Sequence, residues 1–239
     1  MIGTDISKST IEDSFWRILL YGPAGAGKTE LYGSFPKPIW VADFDQKMKP
    51  LYGVDGVHVS SYTVKSPEDA KTVFLQFKRD WKAVSQDPEV KTMVLDSLTS
   101  FDTINLKYFT TISKGGIEST PSLPVYGDQG SYYAYFFTEI KSIQKNVIVT
   151  AHEYYNVDGE SGIHSIQPLI TGRTILHKLP SVFEEVWYLE RGGGDKRILH
   201  YRPYKKAIAT STALKGSGEI ELPSLKDGGA YPVIIKETK

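Results

Sequence analysis

A glycine-rich segment ending in lysine and threonine is the part of this sequence with the clearest chemical meaning. It fits the pattern G-x-x-x-x-G-K-[ST] and follows an apolar run at residues 17–21. Glycines let the backbone curl so that its N–H groups converge on phosphate oxygens, the lysine reaches the β- and γ-phosphates, and the threonine hydroxyl binds Mg²⁺. The segment therefore predicts a nucleoside triphosphate site, whereas the alternative is an ordinary strand-to-helix turn. Its residues are Gly22, Pro23, Ala24, Gly25, Ala26, Gly27, Lys28 and Thr29.

Carboxylates at the ends of two further apolar runs complete the predicted site. Asp96 ends one run, and we expect it to bind Mg²⁺ together with Thr29, although an acid here can also cap the next helix. Asp43 and Asp45 end another run and, at strand period, project to the same side. We assign polarisation of the attacking water to Asp45. Asp43 either shares that role or supports the loop, and the alternative for both is a pair of solvated loop acids.

A histidine follows the fourth apolar run. His152 at this point can sense the γ-phosphate and transmit its loss to the adjoining loop, or it can be a satisfied structural residue. The predicted catalytic residues are therefore Lys28, Asp45, Asp96 and His152.

Composition and charge restrict the class of protein. The 239 residues suffice for one large α/β domain, and their zero formal net charge leaves no global field toward nucleic acid or membrane. The absence of cysteine excludes disulfides, thiolate metal sites and cysteine nucleophiles. Since the N-terminus is polar and no apolar segment has membrane length, we expect a cytoplasmic protein without a membrane partner.

The alternation of apolar runs and amphipathic segments predicts the fold that must position these residues. Continuous apolar strands favour an α/β fold whose mostly parallel sheet has helices on both faces. Ser66-Pro67 resembles a helix start, and the runs 186–189 and 197–201 predict an antiparallel hairpin. We further predict helices near 28–33 and 131–145, polar loops near 113–130 and 154–168, and loop plus short edge strands at the C-terminus. The predicted division is an N-terminal arm at 1–16, a core at 17–185 and an antiparallel C-terminal extension of the same domain at 186–239.

The order of these motifs resembles the RecA-like branch of P-loop ATPases. The shared features are the phosphate loop, an acid-ended strand before the Walker B strand, the pair Asp96-Ser97, and a polar residue ending the next strand. That family usually supplies glutamate where this chain has Asp45, which is one methylene shorter. Across 17–153, phrases such as Leu-Leu-Tyr-Gly-Pro, Val-Leu-Asp-Ser-Leu-Thr and Val-Thr-Ala-His-Glu are similar to the small phage-encoded RecA-core ATPases of single-strand annealing recombination.

The resemblance implies ATP and Mg²⁺ as cofactors, a homo-oligomer, and two loops that face single-stranded DNA. The first loop has Lys114 and nearby tyrosines, which either stack on bases or pack in the core or at a subunit contact. The second has Tyr154 and Tyr155 but no basic residue, which predicts weak electrostatic binding. Tyrosines near the first loop are Tyr126, Tyr132, Tyr133 and Tyr135. Candidate cationic fingers from a neighbouring subunit are Arg173, Arg202, Lys205 and Lys206, with solvated basic side chains as the alternative.

Three functions compete at this point. The leading hypothesis is an ATPase coupled to single-stranded DNA handling in recombination or replication, with a single-strand-binding or recombination protein as a candidate partner. The alternative is a nucleotide-gated loader or regulator that hydrolyses ATP slowly and binds a protein. A small-molecule kinase would need an arginine-rich lid, and the sequence has no such cluster.

Overall fold

A mixed sheet of ten strands forms the centre of the computed structural model, which describes residue 10 and residues 14–66, 68–113, 120–157, 164–193 and 196–238. The strands are β1 (Arg17–Gly22), β2 (Ile39–Asp43), β3 (Val57–Ser61), β4 (Thr92–Asp96), β5 (Asn146–Val157), β6 (His164–Pro168), β7 (Glu185–Arg191), β8 (Arg197–His200), β9 (Thr210–Ser211) and β10 (Glu219–Leu222). The helices are α1 (Lys28–Tyr32), α2 (Asp69–Gln86), α3 (Leu98–Ile112), α4 (Leu123–Ser142), α5 (Arg173–Val182) and α6 (Tyr231–Lys236).

The strand order explains why the predicted site residues meet. Along the sheet the order is β10-β8-β7-β1-β5-β4-β2-β3, and every neighbouring pair from β7 to β3 is parallel. Strands β8 and β10 add antiparallel strands at the C-terminal side. The carboxyl ends of β1, β2, β4 and β5 therefore lie at one edge of the sheet, where α/β proteins bind ligands.

Helices cover both faces of the sheet because alternate strand residues point in opposite directions. In β1, Leu19 and Tyr21 pack into the cluster formed with helices α2 to α5. Ile18 and Leu20 pack on the other face with α1 and α6. The predicted architecture, a mostly parallel α/β sheet with helices on both faces and an antiparallel C-terminal addition, is confirmed.

Helix α4 begins well before the predicted position. The sequence predicts a loop through residue 130, yet α4 starts at Leu123 with a proline at its N-terminal end. Val125, Gln129 and Tyr133 recur every fourth residue on its buried side, and this packing outweighs the low helix propensity of the two glycines between them. Residues 114–119, including Lys114, lie outside the described residues.

The second predicted loop is a β-hairpin in its described part. Strand β5 continues to Val157, and Glu153–Val157 pair antiparallel with His164–Pro168 of β6. Polar residues and tyrosines along this stretch suggested a loop, but tyrosine is a favourable strand residue. The described part of the second predicted loop is thus a continuation of β5, the strand that contains His152.

Other boundaries differ from the sequence prediction for local reasons. Helix α2 begins at Asp69 rather than at Ser66, and the Asp69 carboxylate accepts the backbone N–H of Ser66 at 2.8 Å. Strand β7 pairs parallel with β1 as far as Tyr188, three residues past the predicted boundary at residue 185, and pairs antiparallel with β8 from Tyr188 to Arg191. The C-terminal stretch also contains α6, whose Ile234 is buried against the sheet. Within the described residues, no helix combines the length and apolar character needed to cross a membrane.

Candidate active site

The phosphate loop connects β1 to α1 and has a backbone that requires glycine. Gly25 and Gly27 have φ values of 78° and 98°, in the left-handed region that disfavours other side chains. At Gly27 a Cβ atom would also lie 2.6 Å from Cδ of Arg197. At Gly22 a Cβ atom would lie 2.1 Å from the carbonyl oxygen of Leu189 in β7. The loop is therefore shaped both by its own glycines and by close contact with β7 and β8.

Lys28 is buried inside this loop. Its Nζ donates to the carbonyl oxygens of Gly22 at 2.9 Å and Pro23 at 3.0 Å, and the side chain points at the strand end. Burial lowers the pKa of Lys28, while the negative charges of Asp96 and Asp45 oppose that shift. The ammonium is thus held among carboxylates at the cavity, where a phosphate oxygen can exchange with the two carbonyls.

Asp96 and Thr29 meet beside Lys28, as the sequence predicts. Asp96 Oδ2 accepts the Thr29 hydroxyl at 3.4 Å and the Tyr32 hydroxyl at 2.8 Å, and Oδ1 accepts the Thr150 hydroxyl. Burial raises the pKa of Asp96, against the effect of its hydrogen bonds and of Lys28.

These two oxygen donors fit Mg²⁺. Within the described residues, no group of three His, Cys, Asp or Glu side chains forms a metal cage. Mg²⁺ at nucleotide sites is commonly held by one or two protein oxygens, with phosphate oxygens and water supplying the rest. Thr29 and Asp96 match that pattern.

Asp45 has three side-chain partners, as Asp96 has, and one of them is a histidine. Oδ1 accepts the hydroxyls of Ser97, at 3.0 Å, and Ser100, and Oδ2 lies 3.0 Å from Nε2 of His152. Burial raises the pKa of Asp45, but His152 and the two serines outweigh it and lower the pKa to about 2. Asp45 is therefore a carboxylate with fixed orientation, and His152 is tied to it.

Asp43 has a different position from Asp45. Its Oδ1 accepts the backbone N–H groups of Asp45, at 3.1 Å, and Gln46, at 2.7 Å. Its Oδ2 accepts the Ser61 hydroxyl at 3.2 Å. Of the two roles left open by the sequence, this geometry favours support of the loop.

Three of the candidate finger residues, Arg202, Lys205 and Lys206, do not line the cavity at the phosphate loop of their own chain. The Arg202 guanidinium donates to the carbonyl oxygens of Ser211 at 2.8 Å and Leu214 at 3.0 Å. Lys205 lies 3.7 Å from the Glu190 carboxylate, and Lys205 and Lys206 have left-handed φ values of 43° and 67°. The side chain of Arg173 lies outside the described part. A role in a neighbouring subunit stays a prediction for all four.

A cavity of about 280 Å³ collects these groups together with residues that the sequence did not indicate. Arg197 of β8 is buried there, with its guanidinium on the Glu30 carboxylate and the Pro223 carbonyl. Only long-range pairing of β7 with β1 and β8 brings this arginine to the loop, so no local signal could reveal it. Cavity-lining residues missed by the sequence are Glu30, Lys47, Pro50, Arg191 and Arg197.

Replacing Arg197 tests its role as a support of the phosphate loop. We expect Arg197→Ala to lower the free energy of unfolding by about 2 kcal/mol, because it leaves Glu30 unpaired and a gap beneath Gly27. The cost is moderate because the Glu30 side chain is 34% exposed and can be hydrated. Urea denaturation measures the change.

The neighbouring Lys196 provides a matched control. Its ammonium pairs with Glu221 at 2.8 Å, but both side chains are more than half exposed. Lys196→Ala should change the free energy of unfolding by less than about 1 kcal/mol. Equal losses in the two variants would contradict a special role for Arg197.

Comparisons with known proteins identify the family and the fold of the chain. A family model described as "AAA domain", AAA_24, matches residues 14–212. A crystal structure of the RadB recombinase matches with a TM-score of 0.51 and 13% identity, covering 90% of each chain. No curated protein matches the sequence. The family match spans most of the chain, and the structural match extends the agreement to the arrangement of strands and helices. The chain therefore belongs to the AAA_24 family of AAA domains and has the fold of RecA-like P-loop ATPases.

Proposed function

We propose that this chain is a Mg²⁺-dependent ATPase that couples ATP binding and hydrolysis to the handling of single-stranded DNA in phage-type recombination or replication. One observation carries the proposal: His152 contacts Asp45 in the phosphate cavity and directly precedes a hairpin with exposed tyrosines. His152 of the cavity and the two exposed tyrosines thus lie close together in one strand, β5.

The cavity residues supply the groups that ATP hydrolysis needs. The water oxygen bonds to the γ-phosphorus as the bond to the β–γ bridging oxygen breaks, and the electron pair remains on ADP. One water proton stays on the released phosphate and the other passes to solvent. Lys28 neutralises negative charge at the γ-phosphate, and Thr29 and Asp96 would hold Mg²⁺, which neutralises further phosphate charge.

Asp45 would orient the attacking water rather than take its proton. A carboxylate whose pKa is about 2 is a weak base, yet its oxygen accepts a hydrogen bond from water well. His152, held by Asp45, would then respond to the charge at the γ-phosphate. This assignment keeps the predicted residues and specifies that Asp45 polarises the water as a hydrogen-bond acceptor.

The DNA part of the proposal rests on the β5–β6 hairpin. Tyr154 and Tyr155 are 48% and 62% exposed, so their rings are available to stack on bases. The backbone N–H of Ile166 in β6 donates to the carbonyl of Lys206 at 3.0 Å, which brings Lys205 and Lys206 beside the hairpin. These lysines give the tyrosine surface the basic charge that its own sequence lacks.

A hydrogen-bonded connection links both ends of the hairpin to the site. Thr99 Oγ1 accepts the backbone N–H of His152 at 3.0 Å and donates to the carbonyl of Leu169 at 2.9 Å. Thr99 is in the first turn of α3, which directly follows Asp96-Ser97. A shift of His152 therefore acts on the hairpin through contacts at both of its bases.

The test compares ATP turnover and binding of a fluorescent oligo(dT) strand. We expect oligo(dT) to stimulate turnover, and the double variant Tyr154→Ala, Tyr155→Ala to weaken strand binding at least about tenfold, since each stacked base contributes roughly 1–3 kcal/mol. Tyr52→Ala removes another exposed tyrosine, which is 76% exposed, and should leave binding unchanged. Wild-type protein that neither binds oligo(dT) nor responds to it would overturn the DNA part of the proposal.

A nucleotide-gated protein-binding role is the second candidate, and one observation favours it. The negative charge of Glu153 raises the pKa of Tyr155, and Glu190 adds to the effect. Acidic groups beside the tyrosines oppose phosphate binding and suit a partner protein, such as a single-strand-binding or recombination protein. ATP-dependent capture of such a partner, without any response to oligo(dT), would favour this role. Either role is compatible with a homo-oligomer.

A further inference from the structure

We propose that Lys47 is a catalytic cation that contacts the γ-phosphate within its own chain. This inference rests on the proposed ATPase function. It adds a residue that lies outside both the phosphate loop and the Asp96-Ser97 pair. A cation in this position neutralises charge that develops as the γ-phosphoryl group transfers, which is the effect otherwise attributed to a finger from a neighbour.

A carboxylate-ordered turn directs Lys47 to the cavity. Asp43 Oδ1 accepts two successive backbone N–H groups, those of Asp45 and Gln46, and Gln46 has a left-handed φ of 56°. Asparagine and aspartate commonly order turns by such contacts with the following backbone. The turn thus presents Asp45 and Lys47 to the same cavity, which both residues line.

The residues on both sides of Lys47 are fixed. Asp45 is held by two serine hydroxyls and by His152. On the other side, the buried Met48 places its sulfur 3.6 Å from the Tyr32 hydroxyl, which itself donates to Asp96. The backbone of Lys47 is therefore anchored next to Asp45 on one side and, through Met48 and Tyr32, to Asp96 on the other.

Among the residues that the structure describes, the Lys47 side chain has no counter-ion that would explain its position. It is exposed and makes no hydrogen bond or ion pair with another described residue. Oxygen acceptors of Thr29 and Asp96 line the same cavity, but Lys47 does not bond to them. Lys28 lines the same cavity as Lys47. Two ammonium groups that converge on one cavity repel each other, and a polyanion such as a triphosphate relieves the repulsion.

Action within one chain distinguishes Lys47 from a finger donated by a neighbour. If Lys47 supplies the charge, turnover per chain persists at protein concentrations where oligomers dissociate. If only a neighbour's residue supplies it, turnover per chain falls on dilution.

The test uses Lys47→Ala and Lys47→Arg in the full chain, with Lys49→Ala as control. Lys49 is a nearby exposed lysine that does not line the cavity. Calorimetry with ATPγS and with ADP measures binding, and steady-state turnover is followed over a range of protein concentrations. We expect Lys47→Ala to weaken ATPγS binding about tenfold more than ADP binding, and to lower kcat about 100-fold. Lys47→Arg should restore most of both, and Lys49→Ala should match wild type.

Each outcome decides the proposal. Equal losses for ATPγS and ADP, or Lys47→Ala behaving like Lys49→Ala in an active wild-type background, would overturn the role of Lys47 and leave the ATPase proposal standing. Wild-type turnover per chain that disappears on dilution would assign the charge to a neighbour. A wild-type chain that binds neither nucleotide would overturn the proposed function and this inference together.

Discussion

We expect Lys28→Met to remove most of the nucleotide turnover while leaving the fold intact. We expect kcat to fall at least about 100-fold, because one preorganised charged donor at the reacting phosphate is removed. The fold should persist, because burial already disfavours the charged form of Lys28 and methionine has a similar length. ATP turnover and the thermal unfolding midpoint, Tm, measure the two effects on the same samples.

A surface lysine provides the control for this substitution. Lys226 is exposed near the C-terminus, so Lys226→Met should change neither turnover nor Tm appreciably. A Lys28→Met protein that retains wild-type turnover would contradict the assignment of the phosphate loop. Lower turnover accompanied by unfolding would instead mean that the two carbonyl contacts of Lys28 maintain the loop.

Asp45→Asn should have an effect of similar size for a different reason. The amide keeps one acceptor oxygen, but its NH₂ group must face either the serine hydroxyls or Nε2 of His152. We expect kcat to fall about 1,000-fold, since both the water-orienting acceptor and the tautomer of the histidine are disturbed. Asp55→Asn, in an exposed turn, is the matched control and should be silent.

The lowered pKa of Asp45 makes its contribution to the free energy of unfolding depend on pH. The folded-state pKa of Asp45 is about 2, below the ordinary value of 3.8, so its contribution to stability is present above about pH 4. That contribution is lost as the pH falls from 4 toward 2. The difference in Tm between wild type and Asp45→Asn should therefore shrink below pH 4. A difference that grows on acidification would contradict the contacts of Asp45.

The parts of the site that the sequence predicts are those encoded by contiguous residues. The phosphate loop, Asp45, Asp96 and His152 follow or end the apolar runs of the parallel strands, so local patterns suffice to find them, because parallel strands align their carboxyl ends. Arg197 and Lys47 escape such reasoning. The position of Arg197 depends on β8 pairing beyond β7, and that of Lys47 depends on a turn built by the side chain of Asp43.

The fold shows the same contrast between local pattern and tertiary packing. Apolar runs predict β1, β2 and β4 because these strands are buried on both faces. The start of α4 is missed because Gly127 and Gly130 suggest a loop, whereas the buried Tyr133 and Gln129 stabilise a helix there. Local residue types indicate only the helix or loop propensity of a segment. The contacts that override this propensity at Gln129 and Tyr133 are made with Asp102 of α3, 27 and 31 residues away.

Because β5 is one continuous strand, a change in its direction at His152 also changes the orientation of the hairpin. Val147–Ala151 are bonded into the parallel sheet beside β1, and Glu153–Val157 continue the same strand into the hairpin. His152 lies where the part of β5 paired with β1 ends, and the five residues beyond it span about 17 Å. A rotation of about 10° at His152 would displace Val157 by about 3 Å, which is close to the rise of one strand residue.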